Sequence, residues 1–170
     1  MSSSGAASQH DHLDRHVRER LAKLDAEVRP VVGPDLPAGA DPALLALFDA
    51  MAGSRLIDIH ARRMRERGQG YYTIGSAGHE SNAYVAAALR PSDPALLHYR
   101  SGGFFLARAM QAGRSLDDGL RAILLGMFAS TADAASGGRH KVFGDASLAV
   151  IPQTSTIASH LPRALGVALA

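Results

Sequence analysis

The stretch LLHYRSGGFFLARAM, residues 96–110, runs from an apolar segment through Tyr99 and Arg100 to two glycines and a second apolar segment. The pattern predicts a short buried strand at 95–98 and a helix near 103–111. Arg100 would then leave the carboxyl end of a strand, where ligands of α/β folds collect. Its guanidinium can hold two phosphate oxygens, and the helix start favours an anion. Taken alone, however, the stretch is more typical of an arginine that caps or pairs locally.

Length and composition indicate a globular protein. The chain has 170 residues, of which 46% are hydrophobic and 20% charged, enough for one domain with an apolar core. Cysteine is absent, which excludes disulfides and thiolate metal sites. Residues 1–20 lack the apolar region of a secretory signal, and no apolar run reaches the roughly 18 residues of a membrane span. We therefore expect a cytoplasmic protein without a membrane partner, and a net charge of +2 gives no argument for nucleic-acid binding.

Prolines divide the chain into an amino-terminal arm, residues 1–40, and a domain, residues 41–170. Within the arm, residues 1–9 have the composition of a disordered segment, and residues 11–28 have the apolar spacing of a helix. Residues 29–42 carry four prolines, which predict an extended linker.

Four further helices are predicted in the domain. They cover about 42–67 after an Asp41–Pro42 start, Ser76 to Leu89, 115–127, and a final stretch from 154 with Pro162 in its first turn. On the first of them, Arg55 and Asp58 are spaced to pair, either facing inward or as a solvated ion pair. Residues 129–153 are expected to be irregular. The last apolar pattern is uninterrupted at Ala170, so we expect this chain to be the front part of a longer protein.

Two motifs flank residues 96–110 with groups that can bind ligands. GSAGHE at 75–80 places His79 and Glu80 in the first turn of a helix. His79 can orient a ligand or mediate a subunit contact. Glu80 in that position also interacts favourably with the helix dipole, which needs no functional role. GGRHKVFG at 137–144 is either a positive lid over an acidic substrate or phosphate, or a solvated loop.

A third motif, QTSTIASH at 153–160, clusters hydroxyls before an apolar helix. These hydroxyls can cap the helix or bind a monovalent cation, and His160 is either an acid–base candidate or a capping and packing residue. The sequence contains none of the usual zinc, P-loop or serine-hydrolase motifs. Spacing alone therefore assigns no nucleophile and base.

In this order, GSAGHE, an Ala-rich helix, HYR, GGRHKVFG and TSTIASHLPRALGVALA resemble one enzyme family. They are similar to the thiamine-diphosphate-dependent decarboxylating component of 2-oxo acid dehydrogenase complexes. The resemblance is to the amino-terminal portion of the alpha-type half, or to forms in which both halves are fused, and covers roughly residues 41–170. It implies an α/β pyrophosphate-binding domain that is predominantly helical in this portion.

The resemblance also implies roles for individual residues. Tyr99 and Arg100 match the pair that holds the cofactor diphosphate, and Ser155 and Ile157 match positions that touch the cofactor near its aminopyrimidine and central region. The candidate catalytic residues are His160 and His140. A potassium site of some members falls on Thr154, Thr156, Ser159 and His160, although His160 replaces the usual glutamine, as does His79 in its own motif.

The resemblance implies thiamine diphosphate and Mg²⁺ as cofactors, but no metal ligand within this chain. The segment GDA at 144–146 lies too early to be the family's Mg²⁺ motif, whose ligands are expected beyond Ala170. The activating glutamate would come from a beta-type half or subunit. Further implied partners are a 2-oxo acid, branched-chain or pyruvate-like, and a lipoyl-bearing acyltransferase that receives the acyl group. This chain alone would then be an inactive fragment.

Three other interpretations of the sequence remain open. One is another thiamine-diphosphate enzyme, of the transketolase-like or acetoin type. Another is a non-catalytic helical interaction module, in which Arg100 is a surface residue and the Ala-rich helix a dimer face. The weakest is an arginine-based nucleic-acid binder, suggested by the arginines within residues 62–67. That run is more typical of a solvated face and has no interleaved aromatic residue to stack on bases.

Overall fold

The computed structural model describes residues 9–26, 41–71 and 75–170, and these residues are predominantly helical. The elements are α1 (Gln9–Ala26), α2 (Pro42–Glu66), α3 (Asn82–Ala88), α4 (Gly102–Gln111), α5 (Leu116–Met127), a short 3₁₀ helix (Ala146–Leu148) and α6 (His160–Leu169). The chain forms two compact units, Met1–Ala40 and Asp41–Ala170. The predicted helical character of this portion is confirmed, and the α/β pyrophosphate-binding domain stays a prediction.

The first unit contains α1, which lies where the sequence predicts a helix at 11–28. Residue 9, assigned from composition to a disordered segment, already belongs to this helix. Residues 1–8, the end of the predicted helix at 27–28, and the linker at 29–40 lie outside the described residues.

The long helix α2 begins as its sequence predicts. The carboxylate of Asp41 accepts a hydrogen bond from the Ala43 N–H at 2.9 Å, and Pro42 occupies the first turn, where its missing N–H costs nothing. One face of α2 is buried, and most of its residues are small: Ala50, Gly53, Ser54, Ile57, Asp58 and Ala61. Small side chains let neighbouring backbones approach closely, and α2 packs against α3, α4 and α5.

The helix α4 is the centre of the second unit. Residues 102–109 are all buried, and α4 packs against α2, α3 and α5. Two glycines at its start are required by close approach, since a Cβ on Gly102 would lie 2.5 Å from Ser54 Oγ, and one on Gly103 would lie 2.6 Å from the Glu80 carbonyl oxygen. The first turn of α4 therefore fits directly against α2 and against the segment before α3.

The helices α4 and α5 confirm the predictions near 103–111 and at 115–127. The final helix has Pro162 in its first turn, as predicted, but begins at His160, so its predicted start at 154 was wrong. Ser115 and Asp118 form a reciprocal capping box at the start of α5, which satisfies backbone donors that a helix otherwise leaves unpaired. None of the residues of α6 is buried. Among the described residues, no helix has the length and apolar character needed to cross a bilayer.

The strand predicted at 95–98 is reduced to one bridge. Ala95 pairs in parallel with Val150: its N–H donates to the Ala149 carbonyl at 2.9 Å, and its carbonyl accepts from the Ile151 N–H at 2.8 Å. Residues 96–98 have no regular secondary structure and no ladder partners among the described residues. The prediction was wrong in extent because an apolar run of four residues does not reveal whether a neighbouring strand exists.

The helix predicted from Ser76 to Leu89 is shorter than expected and spans Asn82–Ala88. His79 and Glu80 precede it in a series of turns, so placing them in its first turn was wrong. Ser76 does not cap the helix, because its N–H and hydroxyl bind α2 instead. Residues 129–153 are irregular apart from the 3₁₀ helix, as predicted.

Candidate functional site

Tyr99 and Arg100 lie in a turn immediately before α4. The Ser101 N–H donates to the His98 carbonyl at 2.8 Å and closes this turn. Arg100 is half-buried, and its Nη1 donates to the Gly75 carbonyl at 2.8 Å. The guanidinium carbon also lies 5.5 Å from the centre of the Tyr99 ring. The arginine of the HYR motif is thus held against the GSAGHE motif by a specific hydrogen bond.

The segment that receives Arg100 is anchored on α2. Asp58 Oδ2 accepts hydrogen bonds from the Ser76 N–H at 2.6 Å and from Ser76 Oγ at 2.9 Å. The hydroxyls of Ser54 and Ser76 are 2.6 Å apart. All three of these residues are buried, so their polar groups satisfy one another away from water.

The predicted pairing of Arg55 with Asp58 is therefore wrong. Arg55 Nη1 lies 3.7 Å from Glu80 Oε1, whereas Asp58 binds Ser76. Spacing along one helix identifies residues that can meet, but Ser76 offers Asp58 two donors in a buried position. The arginine instead reaches the segment that precedes α3.

Lys141, from the GGRHKVFG motif, lies close to this network. The residue is buried, with 8% of its surface exposed. Burial lowers the pKa of Lys141, the Asp58 carboxylate opposes that shift, and the Arg100 guanidinium adds to it. A cavity of about 10 Å³ is lined by Asp58, Ser76, Tyr99 and Lys141, among others, which is room for one water molecule at most.

A larger cavity, of about 90 Å³, is also lined by Lys141. Its lining includes the apolar side chains of Phe105, Ile123 and Phe143. Neither Arg100 nor Ser155 lines either of these two cavities. Neither of these two cavities is therefore shared by Arg100, the predicted diphosphate-binding residue, and the hydroxyl-rich segment around Ser155.

The GGRHKVFG and QTSTIASH motifs meet through His140 and Ser155. The Ser155 hydroxyl lies 2.5 Å from His140 Nε2, and either atom can be the donor. Ser136 Oγ fixes the backbone of the same histidine, accepting from its N–H at 3.1 Å. His140 and Lys141 are thus packed into the domain, while Arg139 is exposed, so the motif is not a freely solvated loop.

The QTSTIASH motif also lies beside the HYR motif. Gln153 is buried and its Nε2 donates to the Leu97 carbonyl at 3.0 Å. The pKa of His98 is lowered chiefly by burial, and further by electrostatic interaction with Arg100, His79 and His160. His160 Nδ1 is buried and has no hydrogen-bond partner among the described residues.

The remaining candidates of this motif are at the surface. Ile157 is 79% exposed, and Thr154 and Thr156 are exposed as well. The Ser159 hydroxyl donates to the Thr156 carbonyl at 2.8 Å. Within the described part of the chain, no cluster of three or more histidine or acidic side chains is placed to hold a metal ion.

The sequence reasoning missed Ser54, Ser76 as an anchor, Gln153 and the burial of Lys141. A usable signal for Ser54 and Asp58 exists, since the two polar residues stand four positions apart within the small-residue face of α2. Lys141 and Gln153 lie in irregular segments, where sequence periodicity gives no information on burial. No family model matches this chain, and neither the curated proteins nor the solved structures contain a significant match.

Proposed function

We propose that this chain supplies half of the diphosphate-binding site of a thiamine-diphosphate-dependent 2-oxo acid dehydrogenase component. The observation that carries the proposal is that four motifs from different parts of residues 75–160 contact one another. Arg100 binds the Gly75 carbonyl, Gln153 binds the Leu97 carbonyl, and His140 contacts Ser155. Convergence of glycine, arginine, histidine and hydroxyl residues is typical of a binding site rather than of a solvated surface.

The donors fit an anionic group. A guanidinium carries five N–H donors, of which the bond from Arg100 to Gly75 uses one. The hydroxyls of Tyr99 and Ser155 add further donors, and the Arg100 guanidinium contributes a positive charge. A diphosphate would be held by Tyr99 and Arg100, with Ser155 and the exposed side chain of Ile157 against the rest of the cofactor. The Mg²⁺ ligands would come from beyond Ala170, as the family resemblance implies.

Thiamine diphosphate, when bound, supplies the carbanion that attacks a 2-oxo group and accepts the electron pair released as CO₂ leaves. The chain's own residues hold and orient it. Arg100 neutralises phosphate charge, and the lowered pKa of His98 keeps that imidazole neutral beside the arginine at neutral pH. His140 Nε2 and His160 Nδ1 are the atoms at which a proton would be held near the reacting groups.

The proposal includes partners and a setting. A beta-type half or subunit would complete the site, and a lipoyl-bearing acyltransferase would take up the acyl group in the cytoplasm. The helix α6 leaves Leu161, Leu165 and Leu169 more than half exposed, and such a face is suited to burial in an assembly.

Calorimetric titration of the natural full-length protein with thiamine diphosphate and Mg²⁺ tests the proposal. Arg100→Ala should weaken binding at least about tenfold, since a charge-assisted contact to phosphate is lost. The matched control is Arg121→Ala, an exposed arginine of α5, which should bind like the wild type. No binding by the wild type, or equal affinities of the Arg100 and Arg121 variants, would contradict the proposal.

Two further measurements separate the alternatives. A Gly-Asp-Gly followed by an asparagine in the coding sequence beyond Ala170 would support the family, and oxidative decarboxylation of 2-oxo acids rather than keto-sugar transfer would separate it from transketolase-like enzymes. A helical interaction module is favoured by one observation: α6 has no buried residue, and its leucines are more than half exposed. That alternative predicts a partner-dependent complex and no affinity for thiamine diphosphate.

A further inference from the structure

Asp58 has a role that sequence spacing does not suggest. Its carboxylate is buried, with 5% of the residue exposed, and a single oxygen, Oδ2, accepts both hydrogen bonds from Ser76. Burying a carboxylate is costly unless its interactions are specific. A core residue needed only for packing would be apolar at this position.

The contacts of Asp58 continue to Arg100 in two steps. Gly75 precedes Ser76, and a Cβ at Gly75 would overlap the Asp58 carboxylate, so the backbone of residue 75 rests directly on that group. The carbonyl of the same Gly75 accepts the hydrogen bond from Arg100 Nη1. The position of this carbonyl is thus set from α2.

A second contact from α2 is made to the backbone that follows Arg100 in the chain. Ser54, one turn before Asp58, lies so close to Gly102 that no side chain would fit there. Its hydroxyl also meets Ser76 Oγ at 2.6 Å. The segment 75–76, which binds the guanidinium, and residues 101–102, which follow Arg100 in the chain, are therefore both placed by a single helix turn.

We propose that Asp58 is a positioning residue for Arg100, holding the Gly75 carbonyl so that the guanidinium is presented to a diphosphate. The identity of the ligand rests on the proposed function. The positioning of Arg100 rests only on the contacts of Asp58, Ser76 and Gly75. Asp58 makes no contact with the ligand. It acts through Ser76 and Gly75, and its loss should release the arginine without removing it.

Asparagine and alanine at position 58 separate geometry from charge. Asp58→Asn keeps an oxygen that can accept both bonds from Ser76 and removes the negative charge near Lys141. Asp58→Ala removes the acceptor as well. Positioning by hydrogen bonds predicts that the asparagine variant retains most of the wild-type behaviour and the alanine variant does not. Equal loss in both would assign the effect to charge and overturn the proposal.

The first readout needs no cofactor. An arginine-selective dicarbonyl reagent modifies the full-length protein, and peptide mass spectrometry gives the rate at Arg100 relative to the exposed Arg163. Asp58→Ala should raise the relative rate at Arg100 about tenfold, since the bond to Gly75 no longer restrains it. The control is Asp49→Asn, an exposed aspartate of the same helix, which should change nothing. An Arg100 rate in Asp58→Ala that equals the control rate would refute the proposal.

The second readout is a double-mutant cycle with thiamine diphosphate and Mg²⁺. Asp58→Ala should weaken binding about tenfold when Arg100 is present and have no further effect in an Arg100→Ala background. An equal loss in both backgrounds would mean a general structural role and would overturn the inference. Failure of the wild type to bind would defeat the proposed function, while the modification rates would still decide the positioning.

Should Asp58→Ala fail to fold, Ser76→Ala provides the same test. It removes the hydroxyl contacts but keeps the backbone bond from Ser76 N–H to Asp58. The expected rise in Arg100 modification is then smaller, about threefold. A folded Ser76→Ala protein with wild-type reactivity at Arg100 would count against the inference.

Discussion

Arg108 offers the sharpest test of how the second unit is held together. It is fully buried on α4, with 0% of its surface exposed. Its Nη1 lies 3.0 Å from the Pro91 carbonyl, 3.0 Å from the Asp93 carbonyl and 3.2 Å from the Leu148 carbonyl. One side chain thus ties α4 to the loop before Ala95 and to the 3₁₀ helix.

The size of the effect follows from these contacts. Arg108→Met removes two N–H donors that make charge-assisted bonds of about 1.5–3 kcal/mol each. In the wild type, Nε and Nη2 are buried without a partner among the described residues, which destabilises the fold by about 1–3 kcal/mol for each atom. Arg108→Met removes this destabilisation. These contributions nearly cancel. In the variant, the carbonyls of Pro91 and Asp93 can bind water instead, because these residues are exposed or partly exposed. The Leu148 carbonyl belongs to a buried residue and stays without a partner, which lowers the free energy of unfolding by about 2 kcal/mol.

Arg108→Ala additionally leaves a cavity, which costs about 2–5 kcal/mol more in a buried site. Urea unfolding of the full chain, followed by far-ultraviolet circular dichroism, measures both variants against Arg121→Met, an exposed control. We expect the order wild type, methionine, alanine in decreasing stability. A methionine variant at least as stable as the wild type would refute the role of the three carbonyl contacts, and equal methionine and alanine variants would refute the packing contribution.

Three further outcomes are expected. Gly75→Ala places a methyl group on the Asp58 carboxylate and should lower the free energy of unfolding by about 3 kcal/mol; urea unfolding measures it, and an unchanged midpoint would contradict the contact. Ser115→Ala breaks the capping box with Asp118 and should cost about 1 kcal/mol, with Ser81→Ala as control, since Ser81 is exposed and its side chain makes no cap hydrogen bond to α3. The pKa of His98 is lowered, chiefly by burial, so the unfolded state binds the proton more readily and stability should fall as pH drops below about 6.5. His98→Gln should flatten that part of the stability–pH curve, and an unaltered slope would exclude this imidazole as its source.

The predictions that succeeded rest on local chemistry. Asp41 followed by Pro42, and Ser115 followed by Asp118, satisfy the first backbone donors of their helices with residues nearby in sequence. Such signals are complete within a few residues. The starts of α2 and α5 could therefore be predicted without knowledge of the tertiary structure.

The predictions that failed involve partners distant in sequence. Ser76 has the properties of a helix cap, but a buried carboxylate on α2 takes both of its donors. Arg55 meets Glu80 rather than Asp58 for the same reason. A strand at 95–98 requires a neighbouring strand, and among the described residues the structure provides only one bridge to it, between Ala95 and Val150. The sequence of residues 95–98 carries no information about this partner. Secondary-structure propensity depends on local sequence, whereas the partners of these residues are set by tertiary packing.

The buried face of α2 shows why the site and the core cannot be separated in this unit. Its alanines and Gly53 allow the close approach of α4 and α5, and leucine side chains of α4 and α5 fill the space next to Gly53. Ser54 and Asp58 lie on that face, although apolar residues there would avoid the cost of desolvating a hydroxyl and a carboxylate. Their hydrogen bonds go to Ser76, in a segment without regular structure. Polar groups in this position add little to the helix packing, but they fix one backbone arrangement for a segment that apolar contacts alone would leave free to shift.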